Sequence, residues 1–264
     1  TLSPSSAASD VYKRQILANI TVAVAVACAV YVGSFYLIRL FYPVSLRHLD
    51  GYIGAMLFVI PGFPFITSGL DISKLDMRSG LERMAYAIMI IVVATAVGWV
   101  MALILNLHPQ NFEKLGLTPL VLTVLRLVAS FCGVFGFSIM FNSRIPMATV
   151  AGISGAIANT LRLSLVDWSN VPPAVAAFIG AFVAGMLASI IRRKTGFPRI
   201  AITVPSIVIM VPGLYMYRAM FNLGLTSLNA GALWMVQALM IVICLPLGLI
   251  AARILMDKDW RHAG

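Results

Sequence analysis

Eight long apolar stretches constrain this chain more than any other feature of its sequence. Each is close to the roughly 20 residues that a helix needs to cross a bilayer. We place them at residues 17–41, 52–70, 80–105, 119–141, 146–166, 173–191, 200–221 and 228–256. A transmembrane β-barrel would instead show short strands in which apolar and polar residues alternate. The pattern predicts an all-α polytopic membrane protein with about eight transmembrane helices.

The composition agrees with that fold class. Hydrophobic residues occupy 61% of the 264 positions and charged residues 11%, whereas soluble domains have about 45–50% and about 25%. The formal net charge of +10 would suit a nucleic-acid partner, but no nucleic-acid motif accompanies it. Cys28, Cys132 and Cys244 lie singly in apolar stretches, without the spacing of metal ligands. We expect no nucleic acid, no metal and no cofactor.

The basic residues predict how the chain is oriented in the membrane. With the N-terminal end inside, most of them fall in inner loops or the inner tail: Lys74, Arg78, Arg83, Arg144, Arg192, Arg193, Lys194, Arg199, Lys258 and Arg261. The outer loops hold little more than Arg47 and Lys114. Because basic loops remain in the cytoplasm, we expect both ends of the chain to be cytoplasmic.

The first fifteen residues do not resemble the rest of the chain. The sequence does not begin with Met, and residues 1–6 are low in complexity and lack the apolar core of a signal peptide. Residues 9–15 resemble a translated sequencing adaptor. We expect residues 1–15 to be a non-native leader and the sequence to be the C-terminal part of a longer chain.

Two of the apolar stretches carry a Pro-Gly pair near their middle, Pro61-Gly62 and Pro212-Gly213. Proline removes a backbone donor and clashes with the preceding turn, and glycine lowers helix stability further. Each pair should therefore break its helix at membrane depth, where irregular backbone is tolerated only against protein or a water-filled cavity. Pro64 also restricts Phe63, so we expect the first broken helix to be the more disrupted.

The two breaks belong to an internal repeat. Pro212 follows Pro61 by 151 residues, and the same shift places Gly80 on Gly231. The first three stretches thus repeat as the last three, five stretches apart. An odd separation gives the two copies opposite orientations in the membrane. Inverted repeats with broken helices at corresponding positions are typical of secondary transporters and mark the binding site.

The backbone at these breaks predicts a substrate site. A broken helix exposes N–H groups and a positive dipole end, which suit the carboxylate of an amino acid or a dicarboxylate. Unwound carbonyl groups would hold an ammonium group. We therefore take five residues as substrate-binding candidates: Pro61, Gly62, Pro64, Pro212 and Gly213. The alternative is a pair of simple kinks with a packing role.

Polar side chains within the stretches supply further candidates. Arg218 is a candidate carboxylate partner or an interfacial anchor, and Arg162 a candidate coupling or charge-pair residue. Asp71 would carry a coupling proton, pair with an arginine or cap the loop. Asn159 would contact substrate or bond to a neighbouring helix. Tyr217 would line the site or belong to an aromatic belt.

Two groups of residues resemble the threonine/serine exporter family. The end of that family's first membrane domain is similar to Pro61-Gly62-Phe63-Pro64 followed by Asp71, Asp76, Gly80 and Arg83. Its second membrane domain is similar to Gly136-Phe137-Ser138-Ile139-Met140-Phe141-Asn142 followed by Pro205, Pro212-Gly213 and Tyr217-Arg218-Ala219. The resemblance implies two five-span repeats, of which 16–115 would hold three spans and 116–264 all five.

The resemblance also implies a function. The chain would be a secondary transporter in the bacterial cytoplasmic (inner) membrane that exports threonine and serine, driven by the proton motive force. Its partners would be the small-molecule substrate, protons and the lipid bilayer, with a homo-oligomer left open. A dicarboxylate (succinate-like) exporter is one alternative and a non-transport assembly subunit another. We expect no enzyme, because no catalytic set of residues stands out, and no nucleotide-binding loop is present.

Overall fold

The computed structural model describes residues 4–43, 48, 51–57, 59, 61–107, 116–225 and 227–257. Within these ranges the chain is helical almost throughout and contains no β-strand. The helices are α1 Pro4–Phe41, α2 Gly51–Leu57, α3 Gly62–Ser73, α4 Met77–Ile104, α5 Pro119–Met140, α6 Ile145–Ser169, α7 Pro173–Thr195, α8 Arg199–Val208, α9 Gly213–Leu225 and α10 Leu228–Met256. The chain is an all-α polytopic membrane protein.

The predicted stretches correspond closely to these helices. Seven helical segments of the described chain are long and apolar enough to cross a membrane, with α8 and α9 counted together. The remaining predicted stretch corresponds to α2 and α3, neither of which alone has the length of a span. Of the basic residues used to predict orientation, Arg47, Lys114, Lys258 and Arg261 lie outside the described residues.

Both Pro-Gly pairs interrupt their helices, as predicted. α2 ends at Leu57 and α3 begins at Gly62, while α8 ends at Val208 and α9 begins at Gly213. The N–H of Met210 donates to the carbonyl of Ile207 at 2.9 Å, which closes a turn inside the second break. In both cases the C-terminal half-helix begins at the glycine. The preceding proline has no N–H to donate to the earlier helix, and its ring clashes with the preceding turn, so the earlier helix cannot continue through it.

Pro64 does not add to the first break, contrary to our expectation. α3 has already begun at Gly62, so Pro64 lies within its first turn. N–H groups in a first turn have no intrahelical acceptor, and a proline there removes no hydrogen bond. The hydroxyl of Thr67 donates to the carbonyl of Phe63 at 3.0 Å and supports the same turn.

Other helix ends follow from local sequence. Proline stands in the first turn of α5, α6 and α7, where its fixed φ suits a helix start. α7 ends at Thr195 and is capped by Gly196, which has a φ of 72° and donates its N–H to the carbonyl of Arg192 at 2.9 Å. α1 begins at Pro4 and so includes most of the segment that we predicted to be a leader.

The chain folds into two compact units. The first unit comprises Thr1–Pro61, Ala85–Glu113 and Gly213–Met235, and the second comprises Gly62–Met84, Lys114–Pro212 and Val236–Gly264. The chain thus passes from one unit to the other within each Pro-Gly pair. Each unit takes segments from both of the predicted repeats, 16–115 and 116–264, whose boundaries remain a prediction.

Each unit has its own apolar core. In the first unit the core residues lie on α1, α2, α4 and α9 and include Val24, Cys28, Tyr52, Ile53, Met56, Ala94 and Tyr217. In the second unit they lie on α5 to α8 and include Val134, Ala151, Ala188 and Ile202. Small residues dominate the second core, which lets its helices approach closely.

Large apolar side chains also cover the outside of the helices. On α5 alone, Leu120, Val124, Leu125 and Val128 are each at least half exposed. A soluble monomer rarely exposes contiguous apolar surface on this scale, whereas lipid is as apolar as leucine. These faces suit contact with acyl chains.

Candidate functional site

Both Pro-Gly pairs are buried. Pro61, Gly62, Pro212 and Gly213 all lie inside the protein, and α3 and α9 begin directly after the prolines. The first N–H groups of a helix have no acceptor within it, and the same end carries about half a positive charge. The second unit therefore holds one such end, that of α3, and the first unit holds the other, that of α9.

Within the second unit, the start of α3 lies against the end of α8. A Cβ placed on Gly62 would lie 3.0 Å from Val208 Cγ1 and 3.3 Å from Val211 Cγ2. Val211 belongs to the second break, so the glycine of the first break and the backbone leading into the second pack against each other. Only a residue without a side chain fits this approach unless a valine shifts.

Glycines of three other helices also surround α8 and the second break. A Cβ on Gly133 of α5 would lie 3.6 Å from Ile209, and one on Gly155 of α6 would lie 3.0 Å from Ser206 Cα. A Cβ on Gly180 of α7 would lie 3.2 Å from Met210 Sδ. At Gly155 the backbone of α6 thus comes close to that of α8, and at Gly133 and Gly180 the side chains of Ile209 and Met210 occupy the space that a larger residue would need.

A buried polar network lies beside this segment. The amide nitrogen of Asn159 donates to Ser130 Oγ at 2.9 Å, and Arg162 Nε donates to Asn159 Oδ1 at 3.0 Å. A Cβ on Gly180 would be equally close, at 3.2 Å, to Arg162 Cβ and Met210 Sδ, which places Arg162 next to the second break. Asn159 thus makes one of its two predicted contacts, the interhelical bond, and substrate contact remains a prediction.

Three further buried hydroxyl groups lie on α5 and α6. The Oγ atoms of Ser138 and Ser154 and the Oγ1 atom of Thr160 are buried and have no hydrogen-bond partner among the described residues. A buried polar group without a partner costs about 1–3 kcal/mol. The sequence analysis missed Ser130, Ser138 and Ser154, although hydroxyl residues within the small-residue stretches of α5 and α6 are a signal that could have identified them.

Asp71 lies apart from the breaks. It is in the last turn of α3, about 14 Å along the helix from Gly62, and Arg83 Nη1 of α4 donates to its Oδ2 at 2.6 Å. Its carboxylate side chain is 19% exposed. The described pair joins Asp71 to an arginine at the beginning of α4, and a coupling role remains a prediction.

A second ion pair joins α5 and α6. Arg126 forms an ion pair with Asp167. The arginine side chain is only 15% exposed, so the carboxylate offsets the cost of placing a cation there. Asp167 was not among the predicted site residues, although an acidic residue within an apolar stretch is itself a signal.

In the first unit, Tyr217 lies next to the start of α9. Its side chain is fully buried, and its hydroxyl is hydrogen-bonded to that of Tyr52 on α2. The two rings meet edge to face, with centroids 5.9 Å apart. Aromatic belts lie at the headgroup level, so full burial argues against that alternative. The sequence analysis missed Tyr52, whose partner is 165 residues away.

Arg218, the next residue of α9, is half-buried and stacks on an aromatic ring. Its guanidinium carbon lies 4.8 Å from the centre of the Trp234 ring. Tyr215 packs against the same ring, with centroids 5.5 Å apart. This arrangement fits an anchored cation, and a role as carboxylate partner remains a prediction.

The predicted site residues therefore fall into two groups. The second unit brings Gly62, Asn159 and Arg162 together with the second break, and the first unit contains Tyr217 and Arg218. Each group combines a half-helix N-terminus, an arginine and neutral hydrogen-bonding side chains. Such a set can bind a small molecule that carries a carboxylate and further polar groups.

Two protein-family models match the chain. Residues 126–255 match the model described as Threonine/Serine exporter, ThrE, and residues 8–106 match a second ThrE model that is also described as a threonine/serine exporter. The two matches include all or part of every described helix. No curated protein and no solved structure matches the chain significantly.

Proposed function

The chain belongs to the threonine/serine exporter family, and on that premise we propose that it exports threonine and serine across the bacterial cytoplasmic membrane, driven by the proton motive force. The family supports a membrane exporter. The choice of substrate, the driving force and the cytoplasmic position of both ends are our proposals. The observation that carries them is the pair of buried Pro-Gly breaks, each followed by a half-helix.

The half-helix N-termini suit the carboxylate that all amino acids share. Gly62 and Gly213 are buried at the first positions of α3 and α9. N–H groups at such an end bind anions without any charged side chain. A substrate carboxylate would supply the acceptor that the helix itself does not provide.

The polar network of the second unit suits the rest of the substrate. Arg162 Nε donates to Asn159 Oδ1, and a guanidinium group can bind a carboxylate through paired N–H donors. Ser154 and Thr160 carry buried hydroxyls without partners among the described residues. Threonine and serine share a β-hydroxyl that would bond to such groups. A site of this kind rejects an analogue that lacks the hydroxyl, because its own polar groups then stay unpaired.

We assign the coupling proton to Asp71. Its ion pair with Arg83 joins the last turn of α3 to the beginning of α4, and α3 is the half-helix that starts at the first break. Protonation of the carboxylate would weaken this pair and allow α3 and α4 to separate. The proton would then change the position of an element that forms part of the substrate site.

A dicarboxylate exporter is the second candidate function. The observation that favours it is Arg162 beside the second break, because an arginine binds a carboxylate through paired hydrogen bonds. A succinate-like molecule offers such a carboxylate without needing the hydroxyl groups of the second unit. The same fold and the same breaks serve either substrate, so transport measurements must separate them.

Uptake into inverted membrane vesicles tests these proposals. Vesicles that contain the expressed chain would be given labelled threonine or succinate, with and without a proton gradient, and compared with vesicles from cells without the chain. We expect gradient-dependent threonine accumulation that unlabelled serine suppresses and unlabelled alanine does not. Succinate accumulation alone would replace the first candidate with the second.

The substitution Asp71→Asn separates coupling from binding in the same assay. We expect it to abolish accumulation against a gradient while threonine exchange across the membrane persists. Asp76→Asn is the matched control, because Asp76 lies in the exposed turn before α4. Full gradient-driven accumulation by the Asp71 variant would remove the coupling role from that residue. Accumulation of neither substrate, with the chain present in the membrane, would contradict transport by this chain on its own.

A further inference from the structure

The second unit contains a cavity at one end of its helices, away from the Pro-Gly breaks. The cavity has a volume of about 200 Å³ and is lined by the ends of α3, α7, α8 and α10 and by the turn after α3. Neither a half-helix N-terminus at a break nor a member of the Asn159 network lines it. It is therefore distinct from the candidate substrate site.

Four basic residues line this cavity: Lys74, Arg192, Arg199 and Arg253. Each comes from a different segment of the chain. Asp257 contacts two of them, Arg199 at 3.0 Å and Arg253 at 3.8 Å. Four basic side chains in the lining of one cavity suit an anionic ligand.

The position of Arg199 adds to this argument. It is the first residue of α8, where the helix dipole disfavours a cation, and its side chain is only 13% exposed. Besides Asp257, its guanidinium group contacts the Gly185 carbonyl at 3.4 Å. Two contacts therefore hold the Arg199 cation at a helix N-terminus, which is unfavourable for it, and this indicates that the positive charge has a role in the cavity.

The lining also includes four aliphatic side chains, Leu70, Ile200, Leu249 and Ile250. A free, hydrated anion would make no favourable contact with these side chains. A ligand in which a phosphate group is joined to hydrocarbon would contact both the basic and the aliphatic residues of the lining.

We propose that this cavity binds the phosphate group of an anionic phospholipid. Four helix termini meet there, and the loops at these termini are on the predicted cytoplasmic side. Basic pockets between helices on that side of a membrane are suited to anionic headgroups. The basic run 192–194 is divided accordingly: Arg192 lines the cavity, and Arg193 donates to the carbonyl of Met256 at 2.7 Å. A free phosphate compound shares the phosphate chemistry but not the acyl chains.

Lipid binding to the purified chain in detergent tests the proposal. Phosphatidylglycerol or phosphatidylcholine would be titrated, and bound lipid counted by native mass spectrometry. We expect the anionic lipid to bind more tightly to the unmodified chain. The double substitution Lys74→Gln and Arg192→Gln should weaken its binding about thirtyfold, since each basic side chain near a headgroup contributes about fivefold. Both substitutions leave the Arg199–Asp257 pair intact.

Two further variants distinguish lipid binding in the cavity from a general effect of positive charge on lipid binding. Lys194→Gln removes one exposed charge from the same basic run without altering the cavity, and we expect less than a twofold change. Lys74→Arg with Arg192→Lys keeps both charges and should preserve the lipid preference, which also shows that the double loss is not misfolding. Equal weakening by Lys194→Gln, or equal binding of the two lipids, would overturn the proposal.

Competition by free anions tests whether the cavity prefers a lipid or a soluble phosphate compound. Glycerol 3-phosphate and succinate would be added to the complex with phosphatidylglycerol. We expect millimolar glycerol 3-phosphate to compete weakly and succinate not to compete. Displacement of the lipid by glycerol 3-phosphate at micromolar concentration would assign the cavity to a soluble phosphate compound instead, and displacement by succinate would overturn the phosphate assignment.

Discussion

Arg162 is a cation of α6 that lies near the second Pro-Gly break, across Gly180 from Met210. Its charge was visible in the sequence because an arginine within an apolar stretch is unusual. Its partner Asn159 lies three residues earlier, a spacing that puts both side chains on one face of α6. Ser130 was not predictable in this way, since it belongs to another helix and a serine in a helix can instead bond to its own backbone.

Substitution of Arg162 tests whether its guanidinium group binds the substrate carboxylate. Arg162→Ala removes the hydrogen bonds that a substrate carboxylate would receive from the guanidinium group. We expect threonine uptake into inverted vesicles to weaken between about tenfold and a hundredfold, the range for a hydrogen bond to a charged group. Arg162→Lys should give an intermediate result, because lysine keeps the charge but not the planar fork.

Arg144→Ala is the matched control for that experiment. Arg144 is exposed just before the start of α6, so its loss removes the same charge at the other end of the same helix without touching the polar network. Normal uptake by Arg162→Ala, at normal expression, would show that Arg162 has a structural role and that the substrate carboxylate binds elsewhere.

The helices show which features of the fold can be predicted from the local sequence. α10 has the predicted bounds, 228–256, and both broken helices end and restart around their Pro-Gly pairs. Apolar length and proline chemistry are local properties, so they could be predicted. The pairing of helices could not, because a helix that is apolar on all sides does not reveal which face is buried. Glycines identify that face only once their neighbours are known.

Gly155 provides a prediction about helix packing. A Cβ at this position would lie 2.5 Å from Val134 Cγ2 and 3.1 Å from the carbonyl oxygen of Ser206. Because one contact is with backbone, a side-chain rotation cannot relieve it. We expect Gly155→Ala to destabilise the second unit by about 1–3 kcal/mol, measured as a lower thermal unfolding midpoint in detergent.

Gly136→Ala is the matched substitution on α5. A Cβ there would have no neighbour within 4 Å, so only the change in helix propensity remains. That change stabilises a soluble helix by up to about 1 kcal/mol. An equal loss of stability in the Gly136 and Gly155 variants would contradict the packing of α6 against α8 described above.

The first Pro-Gly pair provides a prediction about a broken helix. Pro61→Ala restores an N–H and removes the ring, so the helix can continue across the break and the N-terminus of α3 is lost. We expect uptake to fall about tenfold, because a helix end contributes up to about 2 kcal/mol to the binding of an anion. This substitution leaves Gly62, with its close approach to Val208, unchanged.

The double substitution Pro61→Ala with Gly62→Ala should have at least as large an effect. Pro173→Ala is the control, because Pro173 is the first residue of α7 and a helix tolerates either residue there. Unchanged uptake by both break variants would reduce the first Pro-Gly pair to a kink with a packing role.

At the scale of the whole molecule, the structure adds a division that the repeat does not predict. The repeat places the boundary near residue 115, whereas each compact unit takes residues from both halves of the chain. Sequence similarity between two copies reports a common origin, not which segments pack together. The sequence repeat and the division into units nevertheless share one feature, the Pro-Gly pairs. Each repeat contains one pair, and the chain passes from one unit to the other at each pair.

The orientation of the chain in the membrane can also be predicted and tested. The basic residues predict that the loop before α6 is cytoplasmic and the loop after it is outside. Ser143→Cys and Ser169→Cys place the same side chain at the two ends of α6, in a background in which Cys28, Cys132 and Cys244 are replaced by serine. In intact cells, a membrane-impermeant maleimide should label only the Ser169 variant.

Permeabilised cells provide the control for that labelling, because both single-cysteine variants should then react. Which of the two variants is labelled matters for the mechanism, because an exporter must bind its substrate from the cytoplasmic side. If α6 runs from inside to outside, α3 and α8 have opposite directions by the alternation of spans, as an inverted repeat requires. Labelling of Ser143→Cys alone in intact cells would reverse the orientation and move the basic cavity of the second unit to the outer face, where the attraction to cytoplasmic anionic lipid would be lost.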